Sequence, residues 1–348
     1  DFDPPDHVKR AAVQAIESGF SRYTATPGIP ELRRAIAAKL ARENGLQYEE
    51  SEIIATTGAK HALYEAFQAL VDEGDEVLIP APYWVSYPDM VTLAGGTPVF
   101  VETRIEDGFV PSPEAIRSRL SDRTVAIVLN SPSNPTGAVW GRDALAGIAR
   151  VLENHPCTIL SDDIYEHLIY TGEPFTNILH VAPHLRDRTL VVNGLSKSFA
   201  MTGWRLGWAA GPRDLVAAMQ RIQDQSTSNP TSIVQKAAIA ALEGGLECVE
   251  RMREKFDERR RYVVDRLTAI PGVRCPPIGG AFYAFPDVRT LCARRHEGVP
   301  VGDDTRMAEI LLDRYRVAVV PGTPFGMSGF VRLSFATSME QLEKGLDR

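Results

Sequence analysis

The stretch Leu190-Val191-Val192-Asn193-Gly194-Leu195-Ser196-Lys197-Ser198-Phe199-Ala200-Met201-Thr202-Gly203-Trp204-Arg205 decides how the rest of the chain is read. It opens with a short apolar run, the pattern of a strand buried on both faces. A loop of mostly small and apolar residues follows, and it holds one lysine and one arginine, Lys197 and Arg205. In open parallel sheets ligands bind beyond the carboxyl ends of the strands. A cation in such a loop is therefore a candidate for chemistry, whereas a lysine on a charged helix is not.

Working outward, the same kind of run recurs at 53–56, 76–79, 125–130 and 158–161, separated by stretches of helical spacing. This alternation is a βαβ signature and predicts a mostly parallel sheet. Upstream, Pro5 and Asp6 open a helix with Val8, Ala12, Ala15 and Ile16 inward, closed by Gly19; Pro30 opens a second with Leu32, Ile36 and Leu40 on one face, stopped by Gly45. Residues 250–267 form a long charged helix burying Met252, Phe256, Val263 and Leu267, with Arg259-Arg260-Arg261 expected on its solvated face. After Pro271 the texture changes to strands and turns, signalled by Gly279-Gly280, 317–320 and 330–336. The expected fold is α/β: a large domain, 20–245, with a mostly parallel central sheet, and a smaller α+β domain from 1–19 and 246–348.

The bulk numbers agree with a folded chain. It has 348 residues, 44% hydrophobic and 24% charged, enough for two domains and a large core. A net charge of -7 offers nucleic acid no broad attraction. The four cysteines, Cys157, Cys248, Cys275 and Cys292, are scattered and contain no Cys-x-x-Cys pair, which predicts a reducing, cytoplasmic setting. No apolar run approaches the roughly 18 residues of a membrane span, and the opening Asp1-Phe2-Asp3-Pro4-Pro5 is not a signal peptide. No initiator Met is present, so an N-terminal piece is expected to precede Asp1.

Five strand ends carry suggestive residues. Thr57-Gly58-Ala59-Lys60 leads into a helix bearing Leu63, Phe67 and Leu70, and its first amides would form an anion site. Pro82-Tyr83-Trp84 puts an aromatic where a planar ring could stack. In Ser131-Pro132-Ser133-Asn134-Pro135-Thr136-Gly137 two prolines are expected to hold the backbone extended and aim Asn134. Asp162-Asp163-Ile164-Tyr165 places an acid just beyond a buried strand, and Lys197 and Arg205 follow the last run.

Taken together, Asn134-Pro135-Thr136-Gly137, Asp162-Asp163-Ile164-Tyr165, Ser196-Lys197 with Thr202-Gly203-Trp204-Arg205, and Val331-Arg332-Leu333-Ser334 resemble the class I/II aminotransferase family of fold-type I pyridoxal 5'-phosphate (PLP) enzymes. The resemblance covers essentially the whole chain. It implies that Lys197 holds PLP covalently and then carries the proton at the substrate α-carbon. Asp162 pairs with the pyridine nitrogen; Asn134 and Tyr165 hydrogen-bond the phenolic oxygen; Trp84 stacks on the ring. Arg205 with the Ala59 and Lys60 amides binds the phosphate. Tyr23 reaches the neighbouring subunit's phosphate in a homodimer. Arg332 clamps the substrate α-carboxylate, with Trp84 and Asn134 also at the substrate.

The chain departs from the family at Gly194, which stands three positions before Lys197 where a phosphate-touching hydroxyl is common. The family's N-terminal arm, with a substrate-contacting glycine, is expected to lie outside the sequence. Lys60 carries two readings: a ligand for the distal carboxylate of a dicarboxylic substrate, as in bacterial aspartate and prephenate aminotransferases, or a solvated cation near the phosphate. The first makes aspartate or glutamate with 2-oxoglutarate the working pair. Same-fold alternatives are an aromatic or kynurenine-type aminotransferase, a carbon–sulfur lyase or a cyclopropane-forming synthase, and a ligand-sensing regulator domain would need a missing DNA-binding segment. No Gly-x-Gly-x-x-Gly follows a strand and no Gly-x-Ser-x-Gly elbow occurs. His180 and His184 lack an accompanying acid, so no metal site is expected.

Overall fold

A computed structural model describes residues 1–348. Seven strands form one sheet: β1 (Ile53–Thr56), β2 (Glu76–Ala81), β3 (Thr97–Glu102), β4 (Thr124–Asn130), β5 (Thr158–Asp162), β6 (Thr189–Gly194) and β7 (Gly207–Ala210). They are ordered β1-β7-β6-β5-β4-β2-β3, and β7 pairs antiparallel with both its neighbours while the other pairs are parallel. The five apolar runs of the sequence are β1, β2, β4, β5 and β6. Two strands escaped that reading. β3 (TPVFVE) is an edge strand with only Val101 buried, and β7 (GWAA) is four small or aromatic residues that return antiparallel after the Lys197 loop.

The central strands are apolar throughout because both faces are covered. Ile127, Leu129, Ile159 and Val191 join one core cluster, whereas Ala126, Val128, Leu160, Leu190 and Val192 join another. A third cluster packs α1 (Asp6–Glu17), α2 (Pro30–Asn44) and the helix Ser232–Glu243 on β1 and β7. The N-terminal segment divides its contacts. Val8 and Ala12 pack with Leu32, Ala237 and Ala241, while Phe2 lies against Phe256 of the long helix Glu247–Thr268. Ile16, expected inward, is exposed, since only Val8, Ala12 and Ala15 of α1 are buried.

The long helix buries Met252, Phe256, Val263 and Leu267 against Phe282, Tyr283 and Phe335. Tyr283 belongs to, and Phe282 and Phe335 adjoin, a three-stranded antiparallel sheet of Val320–Pro321, Val331–Ser334 and Tyr283–Ala284. Arg259 corrects the sequence reading. It is buried rather than solvated, because the first residues of the chain fold across this helix: its guanidinium donates to both Asp1 oxygens at 2.8 and 2.7 Å and lies 4.8 Å over the Phe2 ring. No helix is long and apolar enough to cross a membrane.

Candidate active site

The parallel strands end on one edge of the sheet, and there the predicted residues meet. A cleft of about 310 Å³ is lined by Ala59, Lys60, Trp84, Asn134, Asp162, Tyr165, Lys197, Arg205 and Arg332. Tyr23 is not among them; it sits on an outer loop and is 91% exposed.

Two glycines build the anion end. Gly58, at φ +89°, caps the helix α3 (Ala59–Leu70), and a Cβ there would stand 2.7 Å from Arg205 Nη2. A Cβ on Gly207 would stand 2.3 Å from the Ala59 amide nitrogen. Only without these carbons can the Arg205 guanidinium and the first turn of α3 share one corner, where free amides and a forked cation face the cleft. Arg205 itself takes a left-handed backbone, φ +54°, and its Nη1 donates to the Thr202 carbonyl at 2.9 Å.

Asp162 ends β5 fully buried. Its Oδ2 accepts from the Tyr87 hydroxyl at 2.5 Å and its Oδ1 from the Ile164 amide at 3.3 Å. Burial pushes the carboxyl up to about 6, against the opposing pull of Tyr87, Ile164 and the Lys197 charge. Lys197, just past β6, is pushed below the ordinary lysine range by burial, partly offset by Asp162. Its ammonium lies 5.8 Å over the Tyr165 ring and 5.4 Å over Phe282. The Tyr165 hydroxyl shares a hydrogen bond with that of Tyr283 at 2.9 Å.

The segment 131–137, expected extended, is a turn. The Asn134 amide donates to Asn130 Oδ1 at 3.1 Å, and the Gly137 amide to the Ser133 carbonyl at 2.9 Å; these local bonds curl it. The turn brings Asn134 Oδ1 to accept from Arg332 Nη1 at 2.8 Å. Arg332 is held between two rings, 4.6 Å from Tyr283 and 4.8 Å from Phe325, and its buried Nε has no partner. Lys60 Nζ lies 4.8 Å over Trp84, whose ring meets Tyr87 edge-on at 5.3 Å.

Sequence reasoning missed Tyr87, Asn130 and Tyr283. Tyr87 stands in Tyr83-Trp84-Val85-Ser86-Tyr87-Pro88, and its place one helical turn after Trp84 was a usable signal. Tyr283 left none, since it reaches the cleft from the small sheet.

A mostly parallel sheet with a buried lysine and a buried acid beyond its strand ends, joined by a smaller sheet that supplies an arginine, is the fold-type I transferase architecture. The chain belongs to the aminotransferase class I and II family, whose model matches residues 1–348. It is 49% identical to the aspartate/prephenate aminotransferase of Cereibacter sphaeroides, covering 100% of this chain and 88% of that one. It is 47% identical to the aspartate aminotransferase of Geobacillus stearothermophilus, with the same coverage. The crystal structure of the aspartate aminotransferase from Rhizobium meliloti superposes with a TM-score of 0.97 at 45% identity, covering 100% of this chain and 87% of that chain.

Proposed function

We propose that the protein transfers the amino group of aspartate or glutamate to a 2-oxo acid such as 2-oxoglutarate, with PLP as cofactor. One observation carries the choice of substrate. Two cations, Lys60 from α3 and Arg332 from the strand Val331–Ser334, line the same cleft, so a substrate with two carboxylates can engage both. The relatives named for aspartate support this reading.

The residues present suit PLP. A buried carboxyl raised to about 6 gains by facing a protonated ring nitrogen, and the glycine-opened corner at Arg205 suits a phosphate. Bound there, PLP supplies an electron sink for the substrate α-carbon. Asp162 would keep the ring nitrogen charged, Trp84 would stack on the ring, and Asn134 and Tyr165 would donate to the phenolic oxygen. Arg205 and the Ala59 and Lys60 amides hold the phosphate. Lys197 holds the cofactor and moves the proton at the α-carbon; burial lowers its pKa and so favours the free amine this needs. Arg332, Asn134 and Trp84 orient the substrate.

Tyr23 is assigned to the phosphate of a second copy's site in a homodimer, in keeping with its exposure away from its own cleft. The division into a large unit, 20–245, and a small unit, 1–19 with 246–348, is supported for 246–348 by its separate sheet and for the first residues by Phe2 on Phe256, whereas α1 itself packs on the large unit. The four free cysteines suit the cytoplasm.

A substrate panel tests the assignment. The wild type should prefer dicarboxylic amino acids over alanine, kynurenine and aromatic amino acids, and Lys60→Ala should lose that preference; a mutant that keeps it removes Lys60 from the role. An absorption band near visible wavelengths in the purified protein, absent from Lys197→Ala, tests the cofactor attachment.

A further inference from the structure

Asp304 lies outside the cleft, yet its carboxylate is completely buried and takes four hydrogen bonds from one short segment. Oδ2 accepts from the Thr323 amide at 2.8 Å. Oδ1 accepts from the Thr323 hydroxyl at 3.0 Å, the Ser328 hydroxyl at 2.9 Å and the Gly329 amide at 2.9 Å. Asp304 also starts the helix Asp304–Tyr315, whose N-terminal amides favour an anion.

The segment it grips is otherwise held by short turn bonds around Gly322 and by the packing of Phe325 on Phe285. Residues 322–330 contain Gly322, Gly326 and Gly329 and only one short helical turn, Thr323–Phe325. Three glycines give the unrestrained loop many conformations. Its tip bears on the cleft at two points. The Phe325 ring lies 4.8 Å from the Arg332 guanidinium, and the Phe325 carbonyl accepts from the Tyr83 amide at 3.0 Å, next to Trp84. Close fit at the tip is strict, since a Cβ on Gly326 would stand 2.6 Å from the Tyr83 ring.

We propose that Asp304 is a positioning residue for substrate binding: by gathering residues 323–329 it holds Phe325 against Arg332 and so fixes the plane in which Arg332 meets a carboxylate. Of the two rings that confine Arg332, Tyr283 is in a strand and needs no such help. Phe325 is in the loop, and Asp304 sets it. This inference rests on Arg332 as the α-carboxylate ligand.

The test is steady-state kinetics of the PLP-loaded enzyme with aspartate and 2-oxoglutarate. In Asp304→Asn the amide nitrogen can no longer accept, so some of the four donors lose their partner whichever way the side chain turns. KM for both substrates should rise about tenfold with kcat changed less than about twofold, the signature of lost binding common to ground and transition states. Phe325→Leu, which leaves the Asp304 hydrogen bonds intact, should reproduce that split. Should Asp304→Asn fail to fold, Thr323→Val removes one donor and should give the same split in smaller measure. Unchanged KM in Phe325→Leu and Thr323→Val, or a fall in kcat at constant KM, overturns the proposal. Arg332→Lys separates the two ideas. If it raises KM while the loop variants do not, Asp304 alone is wrong; if it leaves KM unchanged, the reading of Arg332 fails first.

Discussion

The Tyr87 hydroxyl donates to Asp162 Oδ2 at 2.5 Å, and both side chains are buried. This bond is the largest single influence opposing the rise that burial imposes on Asp162. It favours the charged carboxylate, the form that can face a protonated ring nitrogen. The tyrosine hydroxyl is in turn pushed far up by burial and by Asp162, so it remains a donor across the working pH range.

Removing that donor in Tyr87→Phe should push Asp162 above its value of about 6, because only the Ile164 amide and Lys197 then oppose burial. The acidic limb of the kcat/KM profile should move to higher pH, and kcat at neutral pH should fall by about tenfold, in line with one lost hydrogen bond to a charged group. A profile that keeps its acidic limb would show that Asp162 does not set it.

Gly58→Ala puts a methyl 2.7 Å from Arg205 Nη2 on a residue at φ +89°. Either the guanidinium or the start of α3 must move. Affinity for PLP, measured by titrating the apoprotein, should fall by about tenfold or more, and stability by about 1–2 kcal/mol for the strained backbone. Unaltered affinity would mean that Arg205 does not serve the phosphate.

Glu65 offers a pH-dependent stability test. It is wholly buried on α3, its oxygens lack hydrogen-bond partners, and burial pushes it from 4.5 up to about 8. His61 Nε2 is 3.3 Å away and burial pushes that imidazole down, so both groups are neutral in the fold at neutral pH. A carboxyl whose folded pKa is raised favours folding below its unfolded pKa; that stability is lost as pH climbs from about 4.5 toward about 8. Between pH 7 and 8 the imidazole is largely neutral folded or unfolded, which isolates Glu65 within the pair. Glu65→Gln should gain stability relative to wild type as pH rises through this range, read by urea denaturation at several pH values. A difference that stays flat with pH contradicts the assignment.

The buried pair Lys39 and Glu166 ties α2 to the residue following Tyr165. Lys39 also donates to Asn44 at 2.7 Å, and Glu166 accepts from Asn44 at 2.6 Å and Asn193 at 2.7 Å. Lys39→Met strands the carboxylate and should cost about 3–5 kcal/mol. Adding Glu166→Gln should restore a large part of that loss, which a double-mutant cycle measures. Simple additivity of the two changes would mean that the pair is not coupled.

Much of the site was legible along the chain because its residues sit just after apolar runs. Lys197, Asn134, Trp84 and Ala59 each follow a strand and Asp162 ends one, and all five line the cleft. Local pattern misled where distant chain segments cover a surface. The cluster around Arg259 looked solvated on its helix, but Asp1 and Phe2 close over it.

The sequence by itself determined which strand ends face the cleft, the lysine and acid placed there, and the family to which the chain belongs. These rest on short-range periodicity and on motifs whose residues are neighbours. Only the tertiary structure decided how those residues are held. Tyr87 meets Asp162 across 75 residues of chain, and Arg332 meets Asn134 across 198. Asp304 reaches the loop that carries Phe325. Such pairings arise when separate elements pack against one another, and the periodicity of neither partner records them.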